Sequence, residues 1–289
     1  MTSRGEEPST KSSPAGKVRL DGHNQQRRLL ALQRIATHIA SLPMHEAPGH
    51  LSGIYEFGVF HGFGLRAWLD AMPLLNISVE NISVWGFDSF RGMPDEQDGF
   101  MRQSHVHDRN WHAGGLNVAR SMGIHDWHKL HDAILRNIES GSNRTHLVRG
   151  FYNESLVGGI ALRQQLGMPP ALLLDIDCDL YSSTKQALNF MLMARLLRPG
   201  TYVYYDDYTV EEWNISPTRH PYKEERLAHE EITREFELKW KPLNSLKYRG
   251  PMESLGWIRQ WPNTSHLMNK RLLGVSLSPV FRLESCGKC

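Results

Sequence analysis

LLLDIDCDLYSST at 172–184 and YVYYDDY at 202–208 decide how this chain is read. Each is an apolar or aromatic run of strand length that ends in carboxylates, and neither shows the polar alternation of a half-exposed strand. Such runs form the strands of a parallel sheet covered on both faces. In an open α/β sheet, ligands bind outside the carboxyl ends of the strands. Asp177, Asp179, Asp206 and Asp207 are therefore expected to converge there from two neighbouring strands. Carboxylates in one pocket raise each other's pKa, and a hard divalent cation with oxygen ligands keeps them all ionised. The pattern predicts a magnesium-type site.

Outward from these strands, apolar runs alternate with helical periodicity. Strands are expected at 53–59, 82–88, 145–150, 171–177 and 201–206, and helices near 64–75, 125–140, 156–166, 183–197 and 223–238. KWKPL and GWIRQW, beyond 238, read as strands of an antiparallel edge. Ahead of the first strand, Leu29, Leu30, Leu32, Ile35, Ile39 and Leu42 give 24–42 one apolar helical face, which needs the domain or a partner subunit to cover it. The expected fold is α/β: a Rossmann-like, doubly wound sheet, mostly parallel with an antiparallel edge, plus an N-terminal helix. Residues 1–22 read as a disordered tail, 23–262 as the domain and 263–289 as a C-terminal extension.

Composition narrows the class. A chain of 289 residues, 40% hydrophobic, has enough apolar content for one sizeable core, and a net charge of +2 gives no reason to expect nucleic acid or an anionic membrane. The start, MTSRGEEPSTKSSPAGK, lacks an apolar signal region and no run is long enough to span a membrane, so a cytoplasmic location is expected. The six N-x-[ST] sequons then read as chance matches. Cys286 and Cys289 form a lone C-x-x-C without the second pair of a zinc site, and read as part of a solvated tail. Residues 92–117 have no period and lie after a strand end, where long irregular loops serve as lids. His105, His107 and His112 fall in that lid, and His125, His128 and His131 follow on one helical face. Without a carboxylate or cysteine frame, these histidines read as solvated rather than metal-binding.

A glycine turn opens the sheet. In IYEFGVFHGFGLRAWLD, 54–70, a strand runs through Glu56 into Gly58, Gly62 and Gly64 and then into helix, as a backbone does where it approaches a ligand closely. The spacing G-x-x-x-G-x-G departs from the dinucleotide fingerprint, and Asp88 lies further on than that fingerprint places its acid. An acid at the end of the second strand can still accept hydrogen bonds from both hydroxyls of a ribose.

E-x-G-V-x-x-G at 56–62, G-F-D-S-F-R-G-M-P at 86–94, V-R-G-F-Y-x-E-S-L at 148–156, D-x-D-L-Y-x-S-T at 177–184 and D-D-Y at 206–208 together resemble the macrocin O-methyltransferase (TylF/MycF) family. Its members are class I methyltransferases that use S-adenosylmethionine and magnesium to methylate sugar hydroxyls of macrolide and aminocoumarin antibiotics. The resemblance covers about residues 50–210. It implies that Glu56, Gly58, Val59 and Gly62 bind the methionine part of the cofactor. Asp88, Ser89 and Phe90 would contact the adenosine, with Ile176 also at the cofactor. It implies Asp177, Asp206 and Asp207 as metal ligands and Asp179 as general base, with Ser183 and Thr184 capping the next helix. One position departs: where the family carries arginine two residues before the first metal aspartate, this chain has Asp175. Residues just beyond Asp207 and the tail after 260 match the family poorly, so the acceptor does not carry over.

The expected activity is magnesium-dependent O-methylation of a small hydroxylated molecule, a sugar or natural-product glycoside, with a homo-oligomer left open by the N-terminal helix. A catechol or amine acceptor stays open, as does a catalytically silent S-adenosylmethionine-binding regulator. Against silence stands the electrostatic cost of keeping four clustered aspartates unused. A phosphohydrolase would use the aspartates but leaves the glycine turn without a role.

Overall fold

The structure, a computed structural model, describes residues 22–43, 46, 49–75, 79–95, 112–139, 143–208, 224–243 and 279–289. A seven-stranded sheet runs β3-β2-β1-β4-β5-β7-β6. Its strands are β1 (Gly53–Phe57), β2 (Ser83–Asp88), β3 (Thr145–Arg149), β4 (Ala171–Ile176), β5 (Tyr202–Tyr205), β6 (Leu238–Pro242) and β7 (Val280–Cys286). The first five are parallel. β7 is antiparallel to both β5 and β6. The helices are α1 (Gly22–Ser41), α2 (Phe63–Ala71), α3 (Val118–Met122), α4 (Trp127–Ile138), α5 (Tyr152–Ser155), α6 (Ile160–Leu166), α7 (Tyr181–Met193) and α8 (Glu224–Glu235). Strand order reverses between β1 and β4, which makes the crevice above their carboxyl ends the topological switch point of the sheet.

The two-residue period of the strands assigns every side chain to one of two cores. Ile54, Val84, Leu173, Tyr202 and Tyr204 face α1 and α2, where they meet Leu29, Leu32, Ile35, Leu65 and Trp68. Tyr55, Phe57, Phe87, Leu174, Ile176, Val203 and Tyr205 face the other way, toward α7 and α8. The apolar face of α1 is thus covered by its own domain. Asp175 and Asp177 share the parity of Leu173, so they project on the α1 side.

The expected strands and helices are present, with small shifts at their ends. Of the helix expected at 156–166 only Ile160–Leu166, α6, forms; residues 156–159 are turn, through Gly158 and Gly159, and the short α5 precedes them. Helix α7 starts at Tyr181, before the expected Ser183. Its N-cap is Leu180 and no side chain caps it; Thr184 lies inside the helix, with its hydroxyl 3.5 Å from the Cys178 sulfur. KWKPL supplies β6, whereas GWIRQW lies outside the described residues. The second antiparallel strand is β7, in the segment read from sequence as an extension, and it fills the sheet position between β5 and β6. VFRLESC buries only Val280 and Leu283, three residues apart, so it lacks the two-residue alternation of a strand and is easily taken for tail. Cys286, read as tail, ends β7 and is disulfide-bonded to Cys289. Of the lid, 96–111 with His105 and His107 lie outside the described residues. Its two ends are joined by hydrogen bonds from the Met93 amide to the Gly115 carbonyl and from the Gly114 amide to the Met93 carbonyl, both 2.9 Å. No helix among the described residues is long and apolar enough to cross a membrane.

Candidate active site

At the end of β1 the chain turns through Gly58, whose φ of +98° disfavours any other residue. A Cβ there would lie 1.7 Å from the Asp177 carbonyl oxygen. The glycine turn and the acidic end of β4 are therefore in direct backbone contact. Gly62, also left-handed, is the N-cap of α2, and a Cβ on it would meet Ile138 of α4 at 2.6 Å. Val59 is buried beneath Gly86, so only its backbone faces the crevice. Glu56 is buried too. Its Oε2 accepts the Leu65 amide at 3.1 Å, capping the first turn of α2, and its Oε1 is 3.5 Å from an Arg28 nitrogen.

Asp88 closes the neighbouring strand. Its Oδ2 accepts the Phe60 amide at 2.9 Å and its Oδ1 the Phe90 amide at 2.6 Å. Both phenylalanines have positive φ, +46° and +53°, a conformation that costs an L-residue about 1–2 kcal/mol. The Asp88 carboxylate offsets that cost and draws the two turns together. The Val59 amide is also directed at this carboxylate, whose remaining acceptor capacity suits a ribose hydroxyl. Ser89 hydrogen-bonds within its own turn, donating to the Gly92 carbonyl and accepting the Arg91 amide. Phe90 is buried against Trp127.

The carboxylates at the ends of β4 and β5 are held differently. Asp177 Oδ2 accepts Arg28 Nη2 at 2.6 Å. Asp206 Oδ1 accepts the Tyr204 hydroxyl at 2.7 Å. Asp179, left-handed at φ +62°, and Asp207 lie within side-chain hydrogen-bonding reach of each other. Burial, followed by the charge of Asp206, pushes the Asp177 carboxyl well above the usual carboxylate range. Burial and Asp207 do the same for Asp179. Ile176 points into the opposite core, and its carbonyl accepts the Asp206 amide at 3.0 Å. Asp175 is buried on the α1 side, bonded through Oδ2 to Arg28 Nε at 2.7 Å and Trp68 Nε1 at 2.6 Å. Where the family places an arginine, this chain has an aspartate and draws an arginine in from α1.

Two residues of this cluster escape a reading of the strands alone. Arg28 is almost fully buried, with Leu32 and Ile35 on the same helical face. Glu225 of α8 accepts the Asp207 amide on Oε2 at 3.2 Å, while its Oε1 is buried without a hydrogen-bond partner. Burial, then the charge of Asp207, pushes the Glu225 carboxyl well up. Each carries the same sequence signal, a charged residue within an apolar helical stripe: Arg28, Leu32, Ile35, and Glu225, Ala228, His229, Ile232. His125, expected on α4, lies ahead of its Asp126 N-cap and is exposed; His128 is exposed on α4 and His131 is partly so, in keeping with a solvated face.

Oxygen donors alone, a surplus of acids over the single clamped guanidinium and the orphaned Glu225 oxygen fit a hard divalent cation in donor chemistry. Among the described residues the acids do not form a ready-made metal cage as they stand: Asp177 is turned to Arg28, and Asp179 to Asp207.

Sheet order, the glycine turn at β1 and the acids at the switch point define a class I methyltransferase. The macrocin-O-methyltransferase (TylF) family profile matches residues 22–236, and the chain belongs to that family. It is an O-methyltransferase, with S-adenosylmethionine as methyl donor. Among solved structures, the O-methyltransferase NovP is 16% identical with a TM-score of 0.51, over 91% of this chain and 80% of its own. The calicheamicin methyltransferase CalS11 is 17% identical with a TM-score of 0.49, over 97% of this chain and 99% of its own. At 16% identity the likeness to NovP shows the fold alone. No curated protein sequence matches the chain.

Proposed function

We propose that this methyltransferase acts on a hydroxyl of a small molecule, a sugar or natural-product glycoside, with a magnesium ion held by Asp177, Asp206 and Asp207. The observation that carries the reading is the backbone contact of Gly58 with Asp177, which makes the cofactor turn and the acidic cluster two walls of one crevice. The family's namesake activity supports the acceptor class. Bound S-adenosylmethionine supplies an electrophilic methyl group, and bound magnesium lowers the pKa of a neighbouring hydroxyl.

The chain's own residues do the rest. Asp88 and the Gly58–Gly62 turn hold the cofactor, with Glu56 bracing α2 behind them. Asp177, Asp206 and Asp207 would hold the cation, which would supply the positive charge that orients an acceptor hydroxyl. Asp179 is the base that takes the hydroxyl proton. The lid expected at 92–117, whose described ends meet through the Met93, Gly114 and Gly115 backbone, would exclude water. A panel of hydroxylated acceptors with labelled S-adenosylmethionine, run with magnesium and with chelator, tests this. Methylated sugar hydroxyls formed only with the metal are expected. Undiminished transfer in chelator would overturn the metal assignment, and transfer confined to amines or catechols would overturn the acceptor class.

A further inference from the structure

Arg28 enters the site from outside the sheet. Its Nε donates to Asp175 Oδ2 at 2.7 Å, and its Nη2 donates to Asp177 Oδ2 at 2.6 Å. The same Nη2 is 3.5 Å from Glu56, and Nη1 is 3.9 Å from Asp206. One face of the guanidinium lies over the Tyr204 ring, 5.5 Å from its centroid. Trp68 Nε1 fixes the Asp175 oxygen that takes Nε, at 2.6 Å. A guanidinium is planar, so clamping one edge on Asp175 and one face on Tyr204 fixes the direction of Nη2. Asp177 thereby has one oxygen held in a charge-assisted bond.

We propose that Arg28 is a positioning residue: clamped by Asp175 and Tyr204, it holds one oxygen of Asp177 and so presents the other to a divalent cation. The inference rests on the metal-assisted reading above and adds to it a residue from the N-terminal helix. It also gives buried Asp175 a task, as the anchor that aims Arg28. A group that orients a ligating carboxylate from behind is worth about 10- to 100-fold in metal affinity.

Manganese titrated into the full chain with S-adenosylmethionine bound, followed by calorimetry and by the spin resonance of free manganese, tests it. The double variant Arg28→Gln/Asp175→Asn removes one charge of each sign, so the net field at the cluster is kept and only the clamp is lost. Manganese binding weakened about 10-fold or more, with S-adenosylmethionine affinity unchanged, is the expected result. A folded double variant that binds manganese like the wild type would show that Arg28 only neutralises Asp175, and would overturn the inference. Should that variant not fold, Arg28→Lys decides. Lysine keeps the charge but cannot span Asp175 and Asp177, so weaker manganese binding is expected, and wild-type affinity would overturn the inference. A wild-type protein that binds S-adenosylmethionine but no manganese removes the metal-assisted reading itself, and this inference with it.

Discussion

Carboxylates at the ends of β1 and β2 and those at the ends of β4 and β5 border the same crevice but are held in opposite ways. Glu56 and Asp88 accept backbone amides, of Leu65 and of Phe60 and Phe90, and their work is to set turns. Asp177, Asp179, Asp207 and Glu225 face an arginine, one another or, in the case of Glu225 Oε1, no partner. In the proposed reading, acids satisfied by backbone make the rigid wall that takes the cofactor. Acids left with spare capacity make the wall where charge must be bound or a proton moved.

The sharpest way to break this contrast is within the acidic wall. With an acceptor in hand, Asp179→Asn is expected to lower kcat about 10²- to 10⁴-fold while manganese and S-adenosylmethionine affinities persist. Asp206→Asn should instead weaken manganese binding and lower the rate together, with part of the rate returning at high metal. An active Asp179→Asn enzyme that needs more magnesium would exchange the two roles.

Gly58 joins the two walls, so its replacement should injure both. In Gly58→Ala, the new methyl group adds a clash with the Asp177 backbone to a left-handed conformation. A loss on the order of 3 kcal/mol is expected from the two effects combined. Gly114→Ala is the control, since its φ is +75° but nothing lies within 4 Å of the added carbon, and it should cost only about 1 kcal/mol. Equal melting temperatures for the two variants would mean that the walls are not in contact at Gly58.

On the cofactor wall, Asp88→Asn loses the carboxylate that holds Phe60 and Phe90 left-handed. Destabilisation of about 2 kcal/mol is expected, together with weaker S-adenosylmethionine binding by calorimetry. Unchanged cofactor affinity would sink the ribose assignment and leave Asp88 as a turn residue alone.

Sequence reading located the sheet, its parallel strands and the acids at their ends, because buried strands and strand-end carboxylates are local signals. What it could not show is which way a side chain turns. Val59 and Ile176, assigned to the cofactor by resemblance, are buried in the cores, since strand parity and the tightness of the turn aim them there. In sequence, Asp175 is only a departure from the family's arginine, and its meaning comes with Arg28, 147 residues earlier in the chain. β7 stayed hidden because its pairing partners, β5 and β6, lie far off in sequence. Long-range pairing leaves no local period.

Beneath the acidic wall, one titratable group is satisfied as fully as Asp88, and it offers the smallest test. His229 lies one turn beyond Glu225 on α8, with Nδ1 2.8 Å from the Tyr205 hydroxyl and its ring stacked on Phe281. Burial lowers its pKa from 6.5 to about 4. The native protein therefore holds this histidine neutral while the unfolded chain protonates it. Its contribution to stability is in place above the unfolded pKa and is lost as pH falls from 6.5 toward about 4. By pH 5.5 the loss is about 1.4 kcal/mol. His229→Gln should flatten the fall in melting temperature over that window by this amount, while manganese affinity at neutral pH stays put because the imidazole touches aromatic rings rather than the acids. Parallel melting curves for wild type and variant would show that His229 is not held neutral. A variant with impaired manganese binding would instead extend the reactive wall one helical turn deeper than Glu225.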